Sequence, residues 1–181
     1  MILPTGADSF KESLRVGIEV YHSLSSLLKK KFGKSAANVG DEGGFGAPQL
    51  RDENHTLEII AEAIQNSGHE GRIDIGLDVA ASEFYDMKAN TYNLSQKVDS
   101  KEREMSPEAL LDIYDNLSRK YPIVSIEDPF DQDDFSSYVA MTERMGDRVQ
   151  VVGDDLLVTN PTRVQTGIDQ KLCNALLLKV N

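Results

Sequence analysis

The sequence predicts an α/β fold in which strands and helices alternate, and two observations support this. From about residue 70 onward, short aliphatic runs alternate with longer segments whose apolar residues recur at helical spacing. Alternation of this kind is typical of parallel βα units. The chain also lacks the Gly-x-Gly-x-x-Gly fingerprint of a dinucleotide-binding sheet. Several βα units in succession without that fingerprint favour a TIM-like (β/α) barrel.

The elements before residue 70 are predicted to be a short strand at residues 2–3 and two helices. Residues 9–12 have the Ser-x-x-Glu form of a capping box, so the first helix is expected to start there and to end before Gly33. Its apolar stripe is predicted to be Leu14, Ile18, Tyr21, Leu24 and Leu28. A second stripe, Leu57, Ile60, Ala61 and Ile64, predicts another helix that Gly68 closes. Residues 38–44, rich in glycine and acid, indicate a short strand that opens into a loop.

Residues 73–78 are predicted to form a strand whose two faces differ. Its aliphatic residues alternate with Asp74, Gly76 and Asp78, so the two carboxylates share one face. Burying an ionised carboxylate is costly unless a positive group lies against it. Asp78 is therefore expected to have a cationic partner, and a metal ion is one candidate. Asp74 is expected to be neutralised by a lysine or an arginine.

The rest of the chain is predicted to contain a small hairpin and further βα units. Residues 84–94, with Asn90 between two patches that each contain a tyrosine, indicate either this hairpin or an irregular excursion. Ser106-Pro107-Glu108 combines an N-cap, a proline at the first helical position and an acid in the first turn. The later elements are predicted as a strand at 123–126, a helix at 134–145, a strand at 149–152, a helix from Asn160-Pro161 and a strand at 175–178.

Three of the predicted strands end in an acid and the next ends in a lysine, namely Asp78, Glu127, Asp154 and Lys179. The carboxyl ends of barrel strands open onto one face, so these side chains are expected to converge. Oxygen ligands from three rigid strands suit Mg²⁺ better than Zn²⁺. A lysine near a metal can have its pKa lowered enough to act as a general base. Glu42, in a glycine-flanked loop, is a candidate general acid.

Each of these residues also has a more ordinary interpretation. A single Asp at a strand end is more often a helix N-cap or a turn residue than a metal ligand. Glu127 precedes Asp128-Pro129 and could be a loop charge, and Lys179 could be solvated. Their occurrence at the same structural point of successive βα units favours a shared site.

Composition limits the possible partners and compartments. Thirty Asp and Glu against nineteen Lys and Arg leave a formal charge of −11, which argues against nucleic acid or an anionic membrane surface as the main partner. No stretch approaches the roughly 20 apolar residues of a membrane helix. The single cysteine, Cys173, cannot form an internal disulfide, so a cytoplasmic location is expected.

Ordered motifs along essentially the whole chain match one known family. They are Met-Ile-Leu-Pro-Thr-Gly-Ala at 1–7, Asn-Val-Gly-Asp-Glu-Gly-Gly at 38–44, Ile-Gly-Leu-Asp at 75–78, Ser-Ile-Glu-Asp-Pro-Phe at 125–130, Gly-Asp-Asp-Leu at 153–156, Val-Thr-Asn-Pro at 158–161 and Leu-Leu-Leu-Lys-Val-Asn at 176–181. Their number and order make the match specific. The sequence resembles the enolases, the 2-phosphoglycerate dehydratases of glycolysis, and most of all their eukaryotic cytosolic branch.

The resemblance implies a role for each candidate residue. Asp78, Glu127 and Asp154 would be Mg²⁺ ligands, and Glu127 and Asp154 would also border the substrate. Lys179 would take the proton from carbon 2 of 2-phosphoglycerate, and Glu42 would assist loss of the carbon-3 hydroxyl to give phosphoenolpyruvate. Enolase-superfamily sites are known to use a Lys or His base with Mg²⁺ on the ene-diolate. The family is typically dimeric, so the full-length protein is expected to be a homodimer.

The sequence also departs from the family pattern. Phe45-Gly46-Ala47-Pro48 carries an extra glycine beside the loop that holds Glu42. Family members have an amino-terminal capping domain before this segment and further barrel strands after it. Residues 1–181 are therefore interpreted as part of the barrel domain, without the capping domain and the last strands. An incomplete barrel leaves open sheet edges, so residues 1–181 alone are expected to be neither stable nor active.

Two alternative functions remain at this point. One is that of another acid-sugar dehydratase or racemase of the same superfamily. It is disfavoured because those enzymes usually carry Lys-x-Lys or His bases elsewhere and lack the Gly-Asp-Glu-Gly-Gly loop. The other is that of a non-catalytic enolase-like surface or interaction protein. The presence of all five candidate residues argues against loss of catalysis without excluding a second binding role.

Overall fold

A computed structural model of the chain describes residues 1–95 and 102–180. The chain divides into two compact units, one formed by Ile2–Asp74 and the other by Met1 together with residues 75 onward. No helix within the described ranges is both long and apolar enough to cross a membrane.

The first unit contains the two predicted helices. Its elements are β1 (Ile2–Leu3), α1 (Phe10–Phe32), a short 3₁₀ helix (Lys34–Ala37) and α2 (Glu53–Asn66). The Ser9 hydroxyl accepts the Glu12 N–H at the start of α1, as the capping box predicts. Gly33, with φ of 91°, ends α1 in a conformation that favours glycine. Both helices are therefore confirmed, with α1 bounded by its predicted caps.

The buried face of α1 differs from the predicted stripe. Leu14 and Ile18 are 54% and 47% exposed. Leu28, which was predicted, is buried in α1, together with Val16, Val20 and Leu27. In α2 the predicted Leu57 and Ile64 are buried, together with Ile59 and Ala63. Val16 and Val20 pack with Ile64 and Ile73, while the Leu27–Leu28 end packs on α2. Because α1 carries apolar residues on more than one side, its partners rather than its periodicity decide which side is buried.

Asp74 does not have the basic partner that the sequence suggested. Its half-buried carboxylate accepts a hydrogen bond of 2.6 Å from the Thr5 hydroxyl, and no ion pair with Asp74 is present among the described residues. A carboxylate that remains partly solvated and accepts a hydrogen bond from a hydroxyl group needs no full counter-charge. The prediction that a lysine or an arginine neutralises Asp74 is therefore wrong.

The second unit is built from parallel strands joined by helices, as predicted. The parallel strands are β2 (Asp74–Asp78), β6 (Ile123–Glu127), β7 (Gln150–Gly153) and β8 (Ala175–Leu176), hydrogen-bonded in that order. The helices between them are α3 (Pro107–Lys120), α4 (Phe135–Met145) and α5 (Pro161–Gln170). Within the described residues these strands form an open sheet rather than a closed barrel. The α/β class and the order of βα units are confirmed.

A small antiparallel sheet lies between β2 and α3 in the chain. Its strands are β3 (Tyr85–Asp86), β4 (Thr91–Asn93) and β5 (Glu104–Met105). The first two form the predicted hairpin, whereas the third was not predicted. The fully buried Tyr92 donates its hydroxyl proton to Asp134 and accepts the Asp131 N–H, at 2.9 and 2.8 Å. The hairpin is thereby anchored to the segment that follows β6.

Candidate active site at the strand ends

Three acidic residues lie at the carboxyl ends of adjacent strands in the second unit. Asp78 and Glu127 are the last residues of β2 and β6, and they are direct partners in the parallel register. Glu127 is in turn the partner of Val152. Asp154 lies one residue past the end of β7, and its carboxylate is close enough to Glu127 to raise the pKa of that residue, so the three acids form one cluster.

Lys179 joins this group through Asp154. Its Nζ lies 2.7 Å from Oδ2 of Asp154, and the Asp154 side chain is 17% exposed. The Lys179 backbone N–H donates to Oγ1 of Thr159 at 3.0 Å. Val158 and Thr159 both have positive φ, which is uncommon for β-branched residues and marks a tight turn beside the lysine. Thr159 was not among the residues that the sequence singled out.

Without a metal, the amine of Lys179 favours its protonated form. The hydrogen bond to Asp154 raises the pKa of the amine, and the nearby charges of Asp154, Asp155 and Glu127 act in the same direction. The sequence suggested a lowered pKa because it placed a metal beside the lysine. In this structure the nearest charge is a carboxylate, which stabilises the ammonium form.

Glu127 lies in the most crowded electrostatic environment of the three acids. Burial raises its pKa to about 7, and the neighbouring carboxylates of Asp78, Asp154 and Asp128 add to the rise. Lys179 acts in the opposite direction but is the smallest of these influences. Three carboxylates that repel one another on a partly buried surface form a donor set suited to a divalent cation.

Asp128 follows Glu127 directly and occupies a different position from the three acids. It is 4% exposed, and its carboxylate accepts the backbone N–H groups of Asp154 and Asp155 at 3.0 and 2.7 Å. Asp128 was not among the candidate residues predicted from the sequence. The one sequence signal that could have identified it is its place between a strand-ending acid and a proline.

Glu42 belongs to the first unit, where it is exposed on a tight loop. The loop is closed by a bridge between Val39 and Phe45 and by the bond from the Gly43 N–H to the Gly40 carbonyl. Tyr21 supports it, since its hydroxyl donates to the Gly43 carbonyl at 2.9 Å. The role of Glu42 as an acid therefore stays a prediction.

Comparison with known proteins identifies one family. The family model described as "Enolase, C-terminal TIM barrel domain" matches residues 1–181. An enolase of Eimeria tenella is 55% identical over 183 residues, an alignment that covers 100% of this chain and 41% of that relative. The chain thus spans about two fifths of the length of the relative it matches.

Proposed function

This chain belongs to the enolase family, and we propose that the protein catalyses the reversible, Mg²⁺-dependent dehydration of 2-phosphoglycerate to phosphoenolpyruvate. The observation that carries the proposal is the cluster of Asp78, Glu127 and Asp154, with Lys179 paired to the last of them. These residues occur in a chain that matches the family's barrel domain along all of its length.

The three acids fit a divalent cation. They offer oxygen ligands only, and the raised pKa of Glu127 reflects burial and a local excess of negative charge that a cation would offset. We assign the metal as Mg²⁺, held by Asp78, Glu127 and Asp154. When bound, Mg²⁺ would stabilise the negative charge that develops on the substrate carboxylate as its neighbouring carbon loses a proton.

Lys179 is the proposed base. Its Nζ would accept the proton from carbon 2 of 2-phosphoglycerate, which requires the amine in its neutral form. Asp154 is both the partner of Lys179 and a candidate metal ligand. Sharing that carboxylate with a cation would weaken its hold on Nζ and lower the pKa of the amine.

Glu42 is the proposed acid for the departing carbon-3 hydroxyl. Support comes from its exposure and from the loop that presents it, which Tyr21 braces through the Gly43 carbonyl. Exposure leaves the carboxyl accessible to a substrate, and the braced loop limits the positions it can adopt.

The remaining proposals concern location and assembly. We place the enzyme in the cytoplasm, acting as a homodimer on a small-molecule substrate. Neither nucleic acid nor an anionic membrane surface is expected as a partner, because each would repel a protein with a net charge of −11. Light scattering on the full-length protein tests the dimer.

The decisive experiment is an assay of the full-length protein with 2-phosphoglycerate, with and without Mg²⁺. Formation of phosphoenolpyruvate that disappears on chelation supports the proposal. A related acid-sugar dehydratase or racemase would leave 2-phosphoglycerate unchanged and act on a sugar acid. A non-catalytic enolase-like protein would turn over neither compound.

A further inference from the structure

Asp128 lies where three strand ends of the second unit meet. Its backbone N–H donates to the Val152 carbonyl on β7 at 3.0 Å. Its carbonyl accepts the Ala81 N–H, just past the end of β2, at 3.1 Å. The backbone N–H and carbonyl of this one residue therefore connect the end of β6 to β7 on one side and to the segment after β2 on the other.

The side chain of Asp128 makes the connection to β7 stronger. Oδ1 accepts the Asp154 N–H at 3.0 Å and Oδ2 accepts the Asp155 N–H at 2.7 Å. The single hydroxyl proton of Tyr138 is shared between Oδ1, at 3.3 Å, and the Phe130 carbonyl, at 3.2 Å. Hydrogen bonds from N–H groups to a carboxylate in a buried setting are stronger and more directional than neutral ones. The backbone that carries the Asp154 side chain is thus held by the residue next to Glu127.

The backbone conformation of Asp128 suits this role. Its φ of 41° is left-handed, a conformation that aspartate tolerates better than most residues. The turn comes immediately after Glu127, so the Asp128 carboxylate reaches the backbone of β7. Glu127 remains in register with Asp78.

Asp128 is a poor candidate for a metal ligand. One carboxylate oxygen each of Asp128, Asp154 and Asp155 lie within 4.8 Å of one another, which by distance alone resembles a cation site. Both oxygens of Asp128 already accept hydrogen bonds, however, and the residue is 4% exposed. The contacts fit a residue that orders the loop rather than one that binds the ion.

We propose that Asp128 is a positioning residue that sets the spacing between the Glu127 and Asp154 carboxylates, and so the affinity of the metal site. The inference rests on the proposed function, since it concerns the same site. Groups that orient metal ligands without touching the metal commonly change metal affinity by about 10–100-fold when mutated.

The test is the affinity of the full-length protein for Mg²⁺ alone, measured by calorimetry on the wild type and on Asp128→Asn. The amide keeps the shape of the side chain but replaces one acceptor oxygen with an NH₂ donor. That NH₂ group would face a backbone N–H donor and could not accept its hydrogen bond. We expect Mg²⁺ to bind about 10–100-fold more weakly. Affinity equal to the wild type would overturn the inference.

Asp115→Asn is the matched control. Asp115 is 7% exposed and is paired with Arg119, Arg144 and Arg148, so the variant also removes a nearly buried charge. Asp115 lies on α3, and its side-chain hydrogen bonds within the described part of the chain go to arginines rather than to a strand end. Its Mg²⁺ affinity is expected within about twofold of the wild type, because separate sites act independently. An equal loss of Mg²⁺ affinity in both variants would show that Asp128 acts only through the general stability of the fold.

Thermal unfolding separates the remaining explanations. A purely structural role lowers Tm equally in EDTA and in saturating Mg²⁺, whereas a positioning role shrinks the rise in Tm that Mg²⁺ produces. If Asp128→Asn does not fold, the Mg²⁺ affinity of Tyr138→Phe tests the inference. This variant should bind Mg²⁺ about threefold more weakly, as expected for one lost hydrogen bond. Unchanged affinity in Tyr138→Phe would then refute the inference. A wild type that neither binds Mg²⁺ nor dehydrates 2-phosphoglycerate refutes the proposed function instead.

Discussion

The Nζ atom of Lys179 lies 2.7 Å from Oδ2 of Asp154, so the proposed base is paired with a proposed metal ligand. The two residues follow neighbouring strands, β7 and β8, and the Thr159 hydroxyl accepts the backbone N–H of the lysine. The ion pair keeps Lys179 protonated, which is the wrong state for a base. Metal binding and activation of the lysine are therefore expected to be coupled through one carboxylate.

Lys179→Met is expected to separate these two functions. Loss of a general base lowers kcat by about 10²–10⁴-fold. Binding of Mg²⁺ should persist, because Asp154 loses a competing cation and keeps both oxygens. Steady-state kinetics and calorimetry on the full-length protein measure the two effects. Lys11→Met, on the exposed surface of α1, is the control and should match the wild type in both. Retained turnover in Lys179→Met would exclude the lysine as the base.

Glu127 gives a pH dependence whose sign follows from its raised pKa. With a pKa of about 7, well above an ordinary carboxyl, Glu127 is largely protonated below neutrality in the metal-free protein. A cation must displace that proton, so Mg²⁺ affinity should rise as the pH increases through about 7. Calorimetry in buffers of different ionisation enthalpy should show proton release on binding. Proton uptake, or proton release of the same size in Glu127→Gln as in the wild type, would contradict this.

The same pKa fixes the contribution of Glu127 to stability. At pH values between the ordinary carboxyl pKa and about 7, Glu127 is protonated in the folded protein but ionised in the unfolded chain. Metal-free stability contributed by this group is therefore present at low pH and is lost as the pH rises through that window. Comparing Tm against pH in EDTA for the wild type and Glu127→Gln measures it. If the stability that Glu127 contributes increased with pH, burial and neighbouring carboxylates would not be raising its pKa.

Local features explain why so much of the fold could be predicted from the sequence. Each helix start depends on a few adjacent residues, and Ser9, Ser106 and Asn160 all accept N–H groups of the first turn. The strand-end acids could be found because parallel strands share their carboxyl edge. Asp78 and Glu127 end paired strands in register, so they lie side by side.

What could not be predicted depends on contacts between distant segments. Val16 and Val20 are buried in place of Leu14 and Ile18 because Ile64 and Ile73 pack on that side of α1. Asp128 bonds backbone groups that lie 26 and 27 residues away, and such bonds leave no periodic pattern in the sequence. The protonation of Lys179 depends on which charge lies nearest to it.

Tyr92→Phe should destabilise the second unit. The lost hydroxyl is buried and bonded to both Asp134 and the Asp131 N–H. Leaving those groups without their partner is expected to lower the free energy of unfolding by about 1–3 kcal/mol. Denaturant unfolding of the full-length protein measures the change. Tyr85→Phe is the control, because its hydroxyl bonds Asn90 in an exposed setting, and a loss as large as that of Tyr92→Phe would contradict the assignment.

The loop that holds Glu42 contains two glycines for which opposite results are expected. Gly43 has φ of 79°, so Gly43→Ala strains the turn by about 1 kcal/mol or more and should displace the neighbouring carboxyl. At Gly46 a Cβ would lie 3.9 Å from the Asn38 carbonyl, an ordinary contact. Gly46→Ala is therefore expected to be tolerated, and the extra glycine to be sterically unnecessary. Phosphoenolpyruvate formation by the full-length variants provides the comparison. Equal kcat in Gly43→Ala and the wild type would show that catalysis does not depend on how this loop holds Glu42.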